Sequence, residues 1–188
     1  GEEVLARWPS ERHDLVLTVR LFDGTAKEYR DDKYTHELRC GLDDDSSVND
    51  CIAYGVWEIS ADRCYITLWV ALYEGGDALL VDRETGAQVG LDSPPHAAPD
   101  GRHWASVDHD TAYGSGDIDV VSTESGAPAV IATEAGVFCS VERWDSDASF
   151  LVGCGSEESS ARVEYRVMWK QNGTILRVPT GRNAPEAP

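Results

Sequence analysis

The stretch Ala98-Pro99-Asp100-Gly101-Arg102 is a turn signal that leads into the short apolar run Trp104-Ala105-Ser106-Val107. Proline and Asp-Gly pairs set the backbone of tight turns, and short runs rich in aromatic and β-branched residues are typical of strands. A similar succession of strand, polar loop, strand and turn recurs on both sides. Three of these successions end at Gly86, Gly126 and Gly173, which are 40 and 47 residues apart. A period of this length predicts repeated units of β-structure.

Strand signals continue along most of the chain. Between His13 and Phe22, leucine and valine alternate with polar residues, as in a half-buried strand. No window shows a sustained helical stripe with caps at both ends, and the best helix candidate is residues 29–38. The sequence therefore predicts an all-β, antiparallel domain of propeller-like units of about 40 residues. Four units are few for a closed ring, so an irregular β-barrel or open sheet assembly is the alternative.

The repeat also predicts the domain boundaries. We expect a single β domain over residues 1–179, with repeats near 10–51, 52–92, 93–132 and 133–179. The last strand is expected at Ile175 to Val178. Residues 180–188 are polar and rich in proline, which predicts a flexible tail.

The Pro-Asp-Gly-Arg turn carries a resemblance to a known family. Residues 98–102 and the strand that follows resemble the hairpin of the TolB-type (PD40) β-propeller repeat, and residues 116–126 continue that blade pattern. Residues 72–102 are also similar to small uncharacterised bacterial secreted proteins with such blades. The resemblance covers roughly residues 52–178 and implies a propeller-like fold.

The charge balance restricts the partners. The chain carries 34 acidic and 16 basic residues, a net charge of −18. Binding to nucleic acid or to an anionic membrane surface needs a basic face, so the composition argues against both. No apolar run approaches the roughly 20 residues of a membrane helix. A solvated acidic surface and attraction of a basic protein partner are the two interpretations of this charge.

Two disulfides are predicted from symmetric placement about turns. Cys139 and Cys154 flank Ser146, so a hairpin there would bring them together. Cys40 and Cys51 flank a polar aspartate-rich loop in the same way, and Cys64 is left as a free thiol. Disulfides favour an oxidising compartment, which predicts a periplasmic or extracellular protein.

The loop from residue 108 to residue 119 is the densest polar segment. Its alternating carboxylates could supply oxygen ligands for calcium, although the spacing is not that of an EF-hand. The candidate ligands are Asp108, Asp110, Asp117 and Asp119. The same loop could serve as a recognition surface, or its residues could simply form turns. The candidate binding residues are His109, Tyr113 and Ser115.

No motif identifies a catalytic site. The zincin, nucleophile-elbow, phosphate-loop and dinucleotide-binding patterns are all missing. Six tryptophans recur at comparable places in the units, which favours blade packing over a carbohydrate-stacking platform. We therefore expect a non-enzymatic secreted or periplasmic protein-binding module, such as an inhibitor or immunity protein for a basic partner. The alternatives are a hydrolase with scattered carboxylates and a calcium-stabilised structural module.

Overall fold

Strands form all of the regular structure in the described residues of the computed structural model. These residues are 9–32, 52–72, 75–108, 116–136, 138–156 and 159–184. The prediction of an all-β, antiparallel fold with propeller-like units is confirmed. None of the described segments is a helix with the length and hydrophobicity needed to span a membrane.

The fifteen described strands form four antiparallel sheets, and none of the sheets closes into a barrel. Sheet A contains β1 (Ser10–His13), β2 (Val16–Arg20) and β3 (Ala26–Arg30). Sheet B contains β4 (Ala53–Ile59), β5 (Tyr65–Ala71), β6 (Gly76–Asp82) and β7 (Gln88–Leu91). Sheet C contains β8 (His96–Ala97), β9 (His103–Val107), β10 (Asp117–Ser122) and β11 (Ala129–Ala135). Sheet D contains β12 (Cys139–Ser146), β13 (Ser149–Ser156), β14 (Ser159–Trp169) and β15 (Ile175–Asn183).

Each sheet is an up-and-down meander, because neighbours in the sheet are also neighbours in sequence. This is the strand order of a propeller blade. The chain divides into a first compact unit, Gly1–Gly90, and a second, Leu91–Pro188, with the boundary inside β7.

In the first unit, the core lies between sheets A and B. Leu17, Val19 and Tyr29 from sheet A pack with Ile66, Leu68 and Val81 from sheet B, and all six are buried. The alternation of apolar residues along β2 and β5 places them on one face of each sheet. Burial raises the pKa of the Tyr29 phenol to about 12. Its hydroxyl lies 2.9 Å from Oε1 of Gln88 in sheet B.

A buried arginine joins the same two sheets at one end. The side chain of Arg83 is fully buried and lies over the ring of Phe22, 4.5 Å from its centroid. Its Nε donates to the carbonyl of Arg20 (2.8 Å), and its Nη1 donates to the carbonyl of Arg63 (2.7 Å). One planar guanidinium thus fastens the β2–β3 turn to two turns of sheet B.

In the second unit, the core lies between sheets C and D. Small and branched residues of sheet C face Phe150, Val152 and Val167 of sheet D. At one end, the ring of Trp169 packs against Phe150 and Trp144 and also against His103 of sheet C. The two sheets therefore share one aromatic layer, as expected for tryptophans that serve blade packing.

The Pro-Asp-Gly-Arg turn has a direct physical role in sheet C. Asp100 Oδ1 accepts hydrogen bonds from the backbone N–H groups of Arg102 and His103, and Oδ2 lies 2.9 Å from Nδ1 of His103. Gly101 has a φ of 65°, a conformation that costs glycine little. Burial opposes ionisation of Asp100, but the hydrogen bonds outweigh it and lower its pKa. The motif thus directs His103 toward the aromatic layer.

The predicted disulfide Cys139–Cys154 is confirmed. The two residues are direct partners on β12 and β13, with their Cα atoms 4.0 Å apart. Cys40 and Cys51 lie outside the described residues. Cys64 is free, as predicted, and burial together with the nearby Asp62 raises its pKa to about 11.

Two segments differ from the expectation. Tyr29, the beginning of the best helix candidate, belongs to strand β3, where it lies opposite Leu17. Strand β15 continues past Val178 to Asn183, which lies opposite Val163 of β14. In both cases pairing with a neighbouring strand decides the conformation. The sequence of a short polar segment does not indicate such pairing.

The role of Arg83 can be tested with Arg83→Lys. We expect the free energy of unfolding to fall by about 2 kcal/mol, because lysine keeps the buried charge but cannot reach both carbonyls or stack on Phe22. Urea unfolding measures the change. The matched control is Arg30→Lys on the exposed face of β3, which should stay within about 0.5 kcal/mol of the parent. Equal losses in the two variants would contradict the assigned role.

Candidate functional site

The predicted recognition loop lies mostly outside the described residues. This applies to His109, Tyr113 and Ser115, and to Asp110 among the predicted calcium ligands. The structure describes Asp108, Asp117 and Asp119.

Asp117 and Asp119 alternate with the buried Ile118 along β10 and share its other face. The backbone N–H of Asp108 donates to the carbonyl of Asp117 at 2.9 Å, which closes the base of the loop. Among the described residues, no three His, Cys, Asp or Glu side chains are grouped to hold a metal ion. The calcium site stays a prediction.

Asp119 is the electrostatically strained member of this group. Burial raises its pKa, and the negative charges of Asp92 and Asp117 add to the effect. Thr133 Oγ1 donates to Asp119 Oδ1 at 2.6 Å and offsets part of the rise. The carboxylate thus costs the folded state some stability when it is ionised.

A second feature, which the sequence interpretation assigned to blade packing, is an exposed tryptophan on sheet B. The side chain of Trp57 is 61% exposed, and its neighbours Val56 and Glu58 in β4 are exposed too. Alternation along a regular strand would turn at least one of three consecutive side chains inward. A β-bulge interrupts the pairing of β4 with β5 at Trp57, between Val56 and Glu58, and such bulges re-aim a side chain.

Trp57 rests on a second tryptophan. The ring centroids of Trp57 and Trp69 are 6.1 Å apart, with a tilt of 43°. Trp69 in turn covers the backbone of Gly76, where an added Cβ would lie 2.3 Å from the Trp69 ring. The bulge, Trp69 and Gly76 together hold Trp57 at the edge of the sheet. We call Trp57, Glu58 and Trp69 the Trp57 patch.

A cleft of about 390 Å³ lies on sheet D, on the face opposite the core. Its volume is in the range of small-molecule sites. One row across the four strands, Arg143, Leu151, Arg166 and Val178, runs through it. The sequence interpretation missed this cleft, because its residues come from all four strands of the sheet and form no local motif.

No known protein family matches the sequence, and no curated protein matches it. Among solved structures, TolB from Acinetobacter baumannii is similar over 90% of this chain and 38% of its own, with 16% identity and a TM-score of 0.40. A putative 6-phosphogluconolactonase from Bacteroides uniformis is similar over 90% of this chain and 64% of its own, with 10% identity and a TM-score of 0.42.

The chain thus spans less than two thirds of either structure. At these identities and TM-scores neither protein bears on the function. The meander sheets of this chain are by themselves the evidence for blade-like units.

The strain at Asp119 predicts a pH-dependent effect of Asp119→Asn. A raised pKa in the folded state means that the protonated form favours folding, so this contribution is present at low pH and lost as pH rises. At pH 7 the variant should be more stable than the parent, by less than about 1 kcal/mol since the group is half exposed. At pH 3, below the usual aspartate pKa of 3.8, the difference should vanish.

Urea unfolding at the two pH values measures this difference. Glu124→Gln, an exposed substitution in the turn after β10, serves as control and should show no gain at pH 7. If Asp119→Asn is less stable than the parent at pH 7, the ionised Asp119 carboxylate does not destabilise the folded state.

Proposed function

We propose that the chain is a non-enzymatic protein-binding module whose partner is a basic protein, with the Trp57 patch as the centre of contact. The observation that carries this proposal is the 61% exposure of Trp57, held on Trp69 at a bulge in an edge strand. Large aromatic side chains are costly to expose and are enriched among the residues that dominate binding energy at interfaces. A rigid, exposed tryptophan therefore favours recognition over packing.

The charge of the chain supports a basic partner. A net charge of −18 attracts a cationic surface and speeds its association, and it repels acidic proteins. Glu58 places one of these charges beside Trp57. An aromatic centre with a charged rim is the usual anatomy of a specific interface. An inhibitor or immunity protein for a basic partner fits this description.

We also propose a periplasmic or extracellular location and descent of the four sheets from a TolB-type repeat. The disulfide Cys139–Cys154 supports a compartment outside the reducing cytoplasm. The Asp100 turn, in which residues 99–102 carry the Pro-Asp-Gly-Arg core of the repeat motif, supports the kinship.

No specific observation favours the hydrolase. A hydrolase with scattered carboxylates would need a cleft in which they meet with raised pKa values. In the cleft on sheet D, burial opposes ionisation of Asp145, but hydrogen bonds from Ser149 and Arg166 hold its pKa below the usual value. Among the described carboxyl groups, burial raises the pKa of Asp119, which is not among the residues that line this cleft.

The proposal predicts that Trp57→Ala weakens a specific complex without unfolding the protein. A partner captured from the producing organism at low salt would be purified, and its dissociation constant measured by calorimetry. We expect Trp57→Ala to raise this constant roughly 30-fold, the effect of a side chain that contributes about 2 kcal/mol. Raising the salt concentration should weaken the parent complex as well, because the charges are screened.

The control is Val130→Ala, an exposed apolar residue of β11 in the second unit. It should bind within about threefold of the parent. Equal binding by Trp57→Ala, or a captured partner whose affinity does not depend on salt, would overturn the proposal.

A further inference from the structure

The cleft on sheet D has an apolar floor and charged walls. Leu151, only 4% exposed, lies in the row between Arg143 and Arg166, and the more exposed Val178 and Pro179 supply the open apolar surface on β15. Arg143, Arg166 and Arg182 surround this floor. Three of the sixteen basic residues of a strongly acidic chain are therefore gathered in one cleft.

Two carboxylates hold two of these arginines in place. Arg166 Nε donates to Asp145 Oδ2 at 2.6 Å. Asp145 is the extra residue at a β-bulge of β12, which aims it at this face, and its Oδ1 accepts from Ser149. The buried Glu164 accepts from Thr180 Oγ1 at 2.8 Å, and its other oxygen lies 3.7 Å from Nη1 of Arg143.

These contacts leave donors available. Each guanidinium has five N–H groups, and Asp145 takes only the Nε of Arg166. The side chain of Arg182 makes no hydrogen bond or ion pair with any described residue. The side chains of Arg143 and Arg166 are about half exposed, at 55% and 51%, so their remaining donors can reach a ligand.

We propose that this cleft binds a small aliphatic carboxylate. The carboxylate would take paired hydrogen bonds from the arginines, the fork geometry that suits a planar anion, and the aliphatic part would cover the exposed Val178 and Pro179. Three guanidinium groups and two carboxylates leave a local charge of +1. One monoanion neutralises this charge, whereas a phosphate dianion would leave an excess negative charge in an already acidic protein.

The carboxylate has two chemical sources, a free acid or the end of a polypeptide. The probes are 4-methylpentanoate for the free acid, N-acetyl-leucine for a chain terminus, 4-methylpentanamide as the neutral analogue, and inorganic phosphate. Titrations followed by amide NMR spectra of the full chain give a dissociation constant and the residues affected. For ligands of this size we expect a constant on the order of 1 mM for at least one of the two carboxylates.

The test variant is Arg182→Gln, since this side chain supports no described contact and its loss leaves the sheet intact. We expect this substitution to weaken carboxylate binding about fivefold or more. In the parent, the carboxylate should shift the amide signals of residues near Leu151 and Val178. Arg102→Gln, an exposed arginine in the sheet C turn, is the matched control and should bind as the parent does. The amide analogue should bind at least tenfold more weakly than the acid.

The titrations distinguish the two sources of the carboxylate and test whether the cleft binds one at all. Tighter binding of 4-methylpentanoate assigns a free acid, and tighter binding of N-acetyl-leucine assigns a chain terminus. The proposal is overturned if neither acid shifts the amides of the cleft, if the amide or phosphate binds as tightly as the acids, or if Arg182→Gln and Arg102→Gln bind alike.

Discussion

The rest of this structure depends on the burial of one apolar face of each sheet against its neighbour within the unit. A meander sheet of three or four strands that stood alone would leave its apolar face in water, and burying that face is the main favourable contribution to folding. In the first unit, Leu17 and Val19 meet Ile66 across the gap, and in the second, Val120 meets Phe150. Full burial of such side chains contributes about 1.5–3 kcal/mol each. Polar contacts then fix the position of one sheet on the other, as the hydrogen bonds of Arg83 to the carbonyls of Arg20 and Arg63 do in the first unit.

This constraint explains where functional groups can lie. The described core side chains are buried and packed against one another, and the exposed tryptophan and the cleft lie at an edge strand and on a face turned away from the core. Trp57 and Asp145 both occupy the first strand of their sheet, and both are the extra residue of a β-bulge. A bulge releases one side chain from strict alternation while the flanking pairs hold the strand. The same device thus presents a tryptophan on sheet B and orients an arginine on sheet D.

Features that depend on local sequence could be predicted, and those that depend on pairing could not. The β fold and the disulfide follow from local features of the sequence. These features are the alternation of apolar and polar residues, the Asp-Gly turns, and the symmetric placement of Cys139 and Cys154 about a turn. The strand identity of Tyr29 follows from pairing with Leu17, which a polar segment does not reveal. The exposure of Trp57 follows from a bulge, and the cleft follows from the register of four strands. None of these leaves a motif in the chain.

We propose that the Trp57 patch is the surface by which this acidic, blade-built protein binds a basic partner. Amide hydrogen–deuterium exchange of the chain with and without its captured partner tests this most directly. We expect complex formation to slow exchange in the peptide that contains residues 53–59, in the edge strand β4. Slowed exchange confined to other strands, with residues 53–59 unchanged, would contradict it.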